Sequence, residues 1–512
     1  MLSTIGASSE SERMLAGEPA TRRLAADLAD TLAPGDVVAL SGDLGVGKTA
    51  FARALIRQLA GDERLEVPSP TFTLVQTYDL PRFPVIHVDL YRINAPSELM
   101  EIGFPDLANG AALLIEWPER AGALLPPDRL EIELALAPEA GPDHRRLRIR
   151  GHGALASRTH RLVGMHRFFA EAGYGEAERT RLQGDASTRI YERATQDDRR
   201  AILMIAPRRP DGPPIRDGLS YSAIAHLAED VVPFVALARA LRERGISAPE
   251  IHAADLGEGL LILEDLGSEP IVVGNPPAPL DERYAAALEV LVTLHRVALP
   301  DRLPVAPSVS YQLPRYDLGA LTIELQLLCD WYLPQQQATL TEDARDEFDV
   351  LWRDALAAAL AAPPTWVLRD YHSPNLLWLP ERKGIARVGV IDFQDALLGP
   401  AAYDVVSLLQ DARVDVPETL EDALVSRYMK GRRAADRDFD LGQFVELYAL
   451  MGAQRATKIL GIFARLARRD GKPQYLRHQP RVWRNLRRSL SHPTLRALKT
   501  WYETHVPAPR SG

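Results

Sequence analysis

The first third of the chain alternates between two periodicities. Glu18 to Leu32 repeats apolar residues at helical spacing, with Leu24, Leu28 and Leu32 on one face. Asp36 to Leu40 (DVVAL) is a short apolar run ending in a glycine-rich turn, the pattern of a buried parallel strand. A helix is predicted from about Lys48 to Leu59, stopped by Gly61. Val85 to Val88 and Ala111 to Ile115 read as further central strands, and the alternating LEIELAL (130–136) as an edge strand with one wet face. Over 138–158 the periodicity weakens, which places a domain boundary near residue 153 without a long linker. Beyond it, 183–193 and 200–205 predict a hairpin, 207–218 a loop rich in proline and arginine, and 260–263 another strand. The remainder to about residue 505 is mostly helical, broken by strands at 365–368 and 388–391.

Length and composition narrow the class. At 512 residues the chain exceeds one ordinary core, so two or three domains are expected. Its 60 basic and 69 acidic residues leave a net charge of −9, which argues against a general nucleic-acid coat. The single cysteine, Cys329, excludes an internal disulfide and a multi-cysteine metal site, and suits a cytoplasmic protein. The start, MLSTIGASSESERML, is acidic where a signal peptide has its apolar core, and no apolar run approaches the ~18–20 residues of a membrane span. The alanine-rich stretch 355–362 stops at Pro363-Pro364 and reads as a buried or half-buried helix. Only six of the basic residues are lysine (48, 383, 430, 458, 472 and 499), so each can be weighed individually.

The first of them completes a phosphate loop. Gly42-Asp43-Leu44-Gly45-Val46-Gly47-Lys48-Thr49 fits G-x-x-x-x-G-K-[ST] directly after the DVVAL strand. Glycines let consecutive backbone N–H groups turn inward onto phosphate oxygens, and the following helix N-terminus adds its positive end. Lys48 supplies a mobile charge for the β and γ phosphates and Thr49 a hydroxyl for Mg²⁺. Hydrolysis needs a second metal contact. Asp89 and Glu116 each follow a predicted strand, on the sheet edge that carries the loop.

GDLGVGKT, SPTFTLVQTY (69–78), HVDLYR (87–92) and IEWPER (115–120) occur in order, and residues 10–150 resemble TsaE, the small ATPase of bacterial threonylcarbamoyl-adenosine tRNA modification. The resemblance implies Thr49 and Glu116 as Mg²⁺ holders, with Asp89 near the metal. Ser69-Pro70-Thr71 becomes a switch-like loop over the γ-phosphate, Trp117 lies near the catalytic edge, and Glu18 approaches the nucleotide. It also implies ATP hydrolysis that drives turnover of a partner complex, with TsaB- and TsaD-type proteins as partners.

A second constellation lies downstream. Leu368-Arg369-Asp370-Tyr371-His372-Ser373-Pro374-Asn375 is followed by Val390-Ile391-Asp392-Phe393-Gln394-Asp395. An aspartate and an asparagine five apart in a loop can set one carboxylate on an acceptor hydroxyl and an amide oxygen on Mg²⁺, and an aspartate after the next strand can bridge metal to phosphates. That makes Asp370 the base and Asn375 and Asp392 the metal ligands. Gly184, Ser187 and Arg189, in GDASTR, sit where a loop can cover the phosphates. Glu264, after LLIL, is the hinge whose backbone meets adenine. The third-strand lysine of such kinases is missing: AILMIAP (201–207) is apolar, so either an arginine such as Arg189 substitutes or Mg²⁺ alone neutralises the phosphates.

GDASTRIYE, LEDLG, DYHSPNLLW and VIDFQDALLGPAAYDVVSLLQDA resemble the aminoglycoside-phosphotransferase superfamily, in particular the AmgK-like sugar kinases, over residues 160–500. The resemblance implies an ATP- and Mg²⁺-dependent kinase that phosphorylates the anomeric hydroxyl of N-acetylmuramate or N-acetylglucosamine in cell-wall recycling, with Asp404 supporting the catalytic loop. The alternatives are an aminoglycoside or other small-molecule acceptor, or an inactive kinase-like binding module. Gln454, Arg455 and Lys458 share one side of a late helix, and either line the acceptor pocket or form a solvated basic face. The expected architecture is α/β: a P-loop NTPase domain with a mainly parallel sheet (10–153) fused to a bilobal, protein-kinase-like α+β phosphotransferase (159–505). The small lobe of the latter covers about 159–266 and the helical lobe about 267–505.

Overall fold

The computed structural model describes residues 10–95, 97–182, 189–208 and 212–510, which form two compact units: the chain through Thr180 together with Ala194–Arg199, and Arg181–Arg193 together with the chain from Arg200. In the first unit, strands β1 (Glu10–Ala16), β2 (Val37–Gly42), β3 (Val75–Tyr78), β4 (Val85–Asp89), β5 (Ala112–Glu116), β6 (Arg129–Leu136) and β7 (His144–His152) form one sheet in the order β1-β7-β6-β2-β5-β4-β3. The four central strands, β6, β2, β5 and β4, are parallel. Their residues are apolar on both faces in β2 and β5, as a strand covered from both sides requires. Helix α1 (Gly17–Thr31) and helix α2 (Lys48–Ala60) hold the positions their periodicity predicts, and α2 ends on Gly61 in a left-handed turn at φ +66°.

Two expectations change. β6 is not an edge strand: it pairs with β2 on one side and β7 on the other, although the wet face predicted for it is present. The stretch 138–158 contains β7, whose buried Leu147 and Ile149 alternate with arginines. Those arginines form a cross-strand ladder on the outer face. Arg148 meets Glu10, Glu12 and Glu133, while Arg146 meets Glu12 and Glu139. The first unit also continues past residue 153. Helix Ala156–Glu171 belongs to it, and its His166 lies 3.0 Å from the buried Asp27 of α1, which Arg179 also holds. Burial pushes the Asp27 carboxyl up, but Arg179 and His166 outweigh it and bring it down to about 2.

A second sheet, of five strands, runs Ile251–Asp255, Leu260–Leu263, β10 (Arg199–Ile205), β9 (Ile190–Gln196) and β8 (Glu178–Leu182), and most of its residues belong to the second unit. Its neighbours include the apolar helix Val232–Arg242. The rest is a helical lobe around the 29-residue helix Leu441–Arg469, with 18 residues of that helix buried. Two small antiparallel pairs, Thr365–Val367 with Leu397–Gly399 and Leu376–Trp378 with Val388–Val390, frame the loop that carries Asp370. This is the α/β plus kinase-like α+β architecture expected from the sequence. The alanine-rich stretch closes helix Glu342–Ala361, buried through Phe348, Trp352, Leu356 and Ala359. No helix among the described residues is long and apolar enough to cross a membrane.

Candidate active sites

The phosphate loop is built by backbone that only glycine tolerates. At Gly42 φ is +128° and an added Cβ would lie 2.1 Å from the Leu134 carbonyl oxygen, so β6 closes one side of the loop. Asp43, Gly45, Val46 and Gly47 complete the turn, Gly47 at φ +113°, and Arg145 Nε of β7 donates to the Val46 carbonyl at 3.3 Å. Lys48, 5 % exposed, donates its Nζ to the Gly42 and Asp43 carbonyls at 2.7 and 2.9 Å and lies 3.6 Å above the centre of the Trp117 ring. Burial lowers its pKa against the raising pull of Glu116, Glu119, Asp89 and Asp43. Trp117 itself is held in the left-handed region at φ +61°, a strained conformation for a bulky residue.

Thr49 Oγ1 donates to Glu116 Oε2 at 2.9 Å, so the two oxygens predicted to hold Mg²⁺ already converge at the end of β5. Glu116 Oε1 lies 2.9 Å from Nε2 of His87, which is fully buried and braces the carboxylate from behind. Asp89 is the register partner of Glu116 on β4. Its Oδ2 accepts from Thr71 Oγ1 at 2.6 Å and Ser69 Oγ at 3.3 Å, and its Oδ1 accepts from Tyr91 N–H at 2.9 Å. Asp89 therefore ties the Ser69–Thr71 loop to the sheet edge that carries Glu116. Glu18 stands apart from this group and pairs with Arg22 on the exposed face of α1.

In the second unit Asp370 follows Arg369, whose φ of +69° puts the catalytic loop in the left-handed region. Three buried acids hold that shape. Asp404 accepts the backbone N–H groups of Leu368 and Arg369 at 2.6 and 2.9 Å; burial pushes its carboxyl up to about 7 against those two bonds. Asp411 accepts from Ser373 N–H at 3.0 Å and Ser373 Oγ at 2.6 Å. Glu324 binds the Arg369 guanidinium, and Arg369 Nη1 donates to the Ala225 carbonyl at 3.0 Å. Asp370 emerges from this frame with His372 Nε2 at 4.0 Å. Burial holds His372 down to about 4, so its imidazole is neutral at pH 7.

Asn375 gives its Nδ2 to the Asp370 carbonyl at 3.0 Å and to Asp392 Oδ2 at 3.4 Å. The amide nitrogen thus faces Asp392, and Asn375 would have to turn its amide over to offer Mg²⁺ the oxygen ligand it needs there. Burial and the like charge of Asp370 both raise the Asp392 pKa, the signature of two carboxylates that a cation would relieve. No group of three or more acids, histidines or cysteines able to hold a metal occurs among the described residues. One carboxylate and one amide suit Mg²⁺, which takes its remaining ligands from phosphates and water.

Of the other predicted nucleotide contacts, Gly184 and Ser187 lie outside the described residues. Arg189 Nη1 lies 3.8 Å from Asp392 Oδ1, and its Nη2 donates to the Ala228 carbonyl at 3.4 Å. An arginine thus stands beside the Asp392 carboxylate, and on the strand where the lysine is missing Met204 is buried apolar core. Glu264 follows its strand as expected, but its carboxylate is bound by Arg242 at 3.1 Å and by Arg382, and its N–H goes to the Glu250 carbonyl at 2.8 Å. The solvated basic face is absent: Gln454, Arg455 and Lys458 are 0, 5 and 8 % exposed. Sequence patterning missed His87, Asp411 and Glu324. The last carried a signal, a lone acid inside the apolar LTIELQLL.

A glycine-lined phosphate loop with its threonine on a strand-end carboxylate, and a separate kinase-type loop with aspartate, asparagine and aspartate gathered, define a fusion of two phosphate-handling enzymes. Residues 15–146 match the threonylcarbamoyl adenosine biosynthesis protein TsaE, and residues 178–439 match the phosphotransferase enzyme family. The N-acetylmuramate/N-acetylglucosamine kinase of Caulobacter vibrioides is 39% identical over 353 residues, spanning 66% of this chain and 95% of the relative. The kinase of the same name from Pseudomonas aeruginosa is 37% identical over 327 residues, 62% of this chain and 86% of the relative. The tRNA threonylcarbamoyladenosine biosynthesis protein TsaE of Rickettsia felis is 44% identical over 126 residues, 25% of this chain and 73% of the relative. The chain belongs to the phosphotransferase enzyme family, in the branch of these kinases, and carries a TsaE-family domain ahead of it.

Proposed function

We propose that this chain is bifunctional and cytoplasmic. Residues 10–153 form an ATPase that supports tRNA threonylcarbamoyladenosine modification with TsaB- and TsaD-type partners. The second unit, from Arg181 onward, carries an ATP- and Mg²⁺-dependent kinase for N-acetylmuramate and N-acetylglucosamine in cell-wall recycling. For the second activity the carrying observation is the gathering of Asp370, Asn375 and Asp392 around one point, with Asn375 bonded to both neighbours. The acceptor's anomeric oxygen attacks the γ-phosphorus, the bond to ADP breaks, and the hydroxyl proton passes to Asp370. An anomeric hydroxyl is more acidic than a plain alcohol, so positioning contributes more than basicity. An aminoglycoside is a polycation and is disfavoured by Lys458, Arg369 and Arg455, whose charges all act on Asp370. Full-length protein given ATP, Mg²⁺ and a panel of muramate, glucosamine and aminoglycoside acceptors tests the reading; transfer confined to aminoglycosides, or to none, rejects it.

Thr49, Glu116 and Asp89 are assigned to the Mg²⁺ of the ATPase, with Gly42 to Lys48 and Thr71 around its phosphates. Lys48→Ala is expected to lower sugar-independent ATP hydrolysis by about 10²–10³-fold, the scale for removing one preorganised donor to developing charge. Sugar phosphorylation should stay within about twofold, since no residue of that loop contributes to the kinase-type loop. Equal loss of both activities would mean that the sites are coupled. Arg189 is assigned to the phosphates of the kinase site in place of lysine. Arg189→Gln is expected to raise KM for ATP by about 10–100-fold, the loss of a charge-assisted contact, while KM for the sugar stays level. An unchanged ATP KM would leave neutralisation to Mg²⁺.

A further inference from the structure

Helix Leu441–Arg469 carries three long polar side chains into the interior, Gln454, Arg455 and Lys458, besides the hydroxyl of Thr457. Lys458 is fully used, whereas Gln454 uses its Nε2 and keeps a buried Oε1 with no hydrogen-bond partner among the described residues. Gln454 Nε2 donates to Glu324 Oε2 at 3.0 Å, and Lys458 Nζ pairs with Glu324 Oε1 at 2.7 Å and reaches Tyr403 Oη at 3.4 Å. Arg455 differs. It is 5 % exposed, yet among the described residues its guanidinium has no hydrogen bond or ion pair. No Arg455 nitrogen is among the enclosed atoms that lack a partner, so the guanidinium keeps access to open space while the rest of the residue is packed, and a cation in that position is available to an anionic ligand.

That anion does not come from the surrounding protein. Arg455 exerts its charge on Asp370, His372 and Asp404. Asp404 is committed to the backbone of Leu368 and Arg369, Asp411 to Ser373 and the Arg413 N–H, and Glu324 to Arg369, Lys458 and Gln454. Asp370 is the one acid of this group left open, and its reaction needs it facing the acceptor hydroxyl. With the metal and phosphates assigned to Asn375, Asp392 and Arg189, the acceptor is assigned to the Arg455 side of Asp370.

We propose that Arg455 is the specificity-determining residue of the acceptor site: its guanidinium holds a carboxylate carried by the acceptor sugar while the reacting hydroxyl rests on Asp370. The inference rests on the sugar-kinase reading above. The planar fork accepts both oxygens of a carboxylate, which lysine cannot reproduce. N-acetylmuramate carries such a group and N-acetylglucosamine does not, so the two sugars separate a carboxylate contact from any general damage to the loop.

The test is steady-state kinetics of the full-length protein with each sugar, for the native chain, Arg455→Gln and Arg455→Lys. Arg455→Gln is expected to raise KM for N-acetylmuramate by about 10–100-fold, the range for a lost charge-assisted bond, with KM for N-acetylglucosamine and for ATP within about twofold. Arg455→Lys keeps the charge without the fork and should fall between the native protein and Arg455→Gln for N-acetylmuramate alone. An equal change for both sugars, no change for either, or a change confined to ATP overturns the assignment. Native protein that phosphorylates neither sugar overturns the sugar-kinase reading and this inference with it, so the two failures are told apart by the native enzyme.

Discussion

Asp370→Asn is expected to lower sugar phosphorylation by about 10²–10⁴-fold, the usual contribution of a positioned general base. Burial opposes the charge on Asp370, but Lys458, His372, Arg369 and Arg455 outweigh it, and the carboxyl sits below its ordinary value. The base is therefore ionised throughout the neutral range, so a fall in activity between pH 7 and the ordinary carboxylate range would come from groups other than Asp370. Asparagine keeps the shape and one acceptor oxygen while removing the capacity to take a proton. KM values for ATP and sugar should change little, because Asn375, Asp392 and the acceptor contacts remain. Sugar-independent ATP hydrolysis by the first unit should be unaffected. The measurement is ADP release with and without sugar, alongside direct detection of the sugar phosphate. A loss smaller than about tenfold would leave orientation as the whole role of the loop.

Glu324→Gln is expected to destabilise the second unit by about 3–5 kcal/mol, the range for breaking a buried ion pair on one side. Glu324 is fully buried and serves Arg369, Lys458, Gln454 and Tyr316 at once. Glutamine removes the counter-charge of two interior cations and turns one acceptor into a donor. Burial raises the Glu324 pKa, but Lys458 and Arg369 bring it down to about 2 from an ordinary 4.5. A carboxyl depressed in the folded state contributes stability that is complete above its unfolded pKa and is lost as pH falls toward the folded one. Denaturant unfolding of the native chain should therefore weaken between about pH 4.5 and 2, with a shallower slope in Glu324→Gln. A cost below about 1 kcal/mol at pH 7 would show that water replaces the carboxylate. Because Arg369 precedes Asp370 in a left-handed conformation, phosphotransfer should fall with stability.

The phosphate loop was legible because its chemistry is local. Gly42, Gly45 and Gly47 must take positive φ for the loop to exist, and all three do. The spacing from Asp370 to Asn375 is likewise a property of one short loop. Where residues answer to distant partners, patterning misled. The arginines of β7 hid a strand because two of their partners, Glu10 and Glu12, lie on β1, with Glu12 136 positions from Arg148. β6 looked like an edge because alternation reports one wet face and says nothing of how many strands flank it.

The chemical groups, their order and the family were thus set by the sequence alone, since glycine conformations, loop spacings and apolar periods act over a few residues. Which charges remain available was decided only by the tertiary structure. Lys458 and Gln454 close on a glutamate 134 and 130 positions away, Arg189 is carried to Asp392, and Arg455 is left facing the catalytic loop. Burial makes the difference: in a low-dielectric interior every charge must find a partner, and only the packed chain determines whether that partner is another side chain or a substrate.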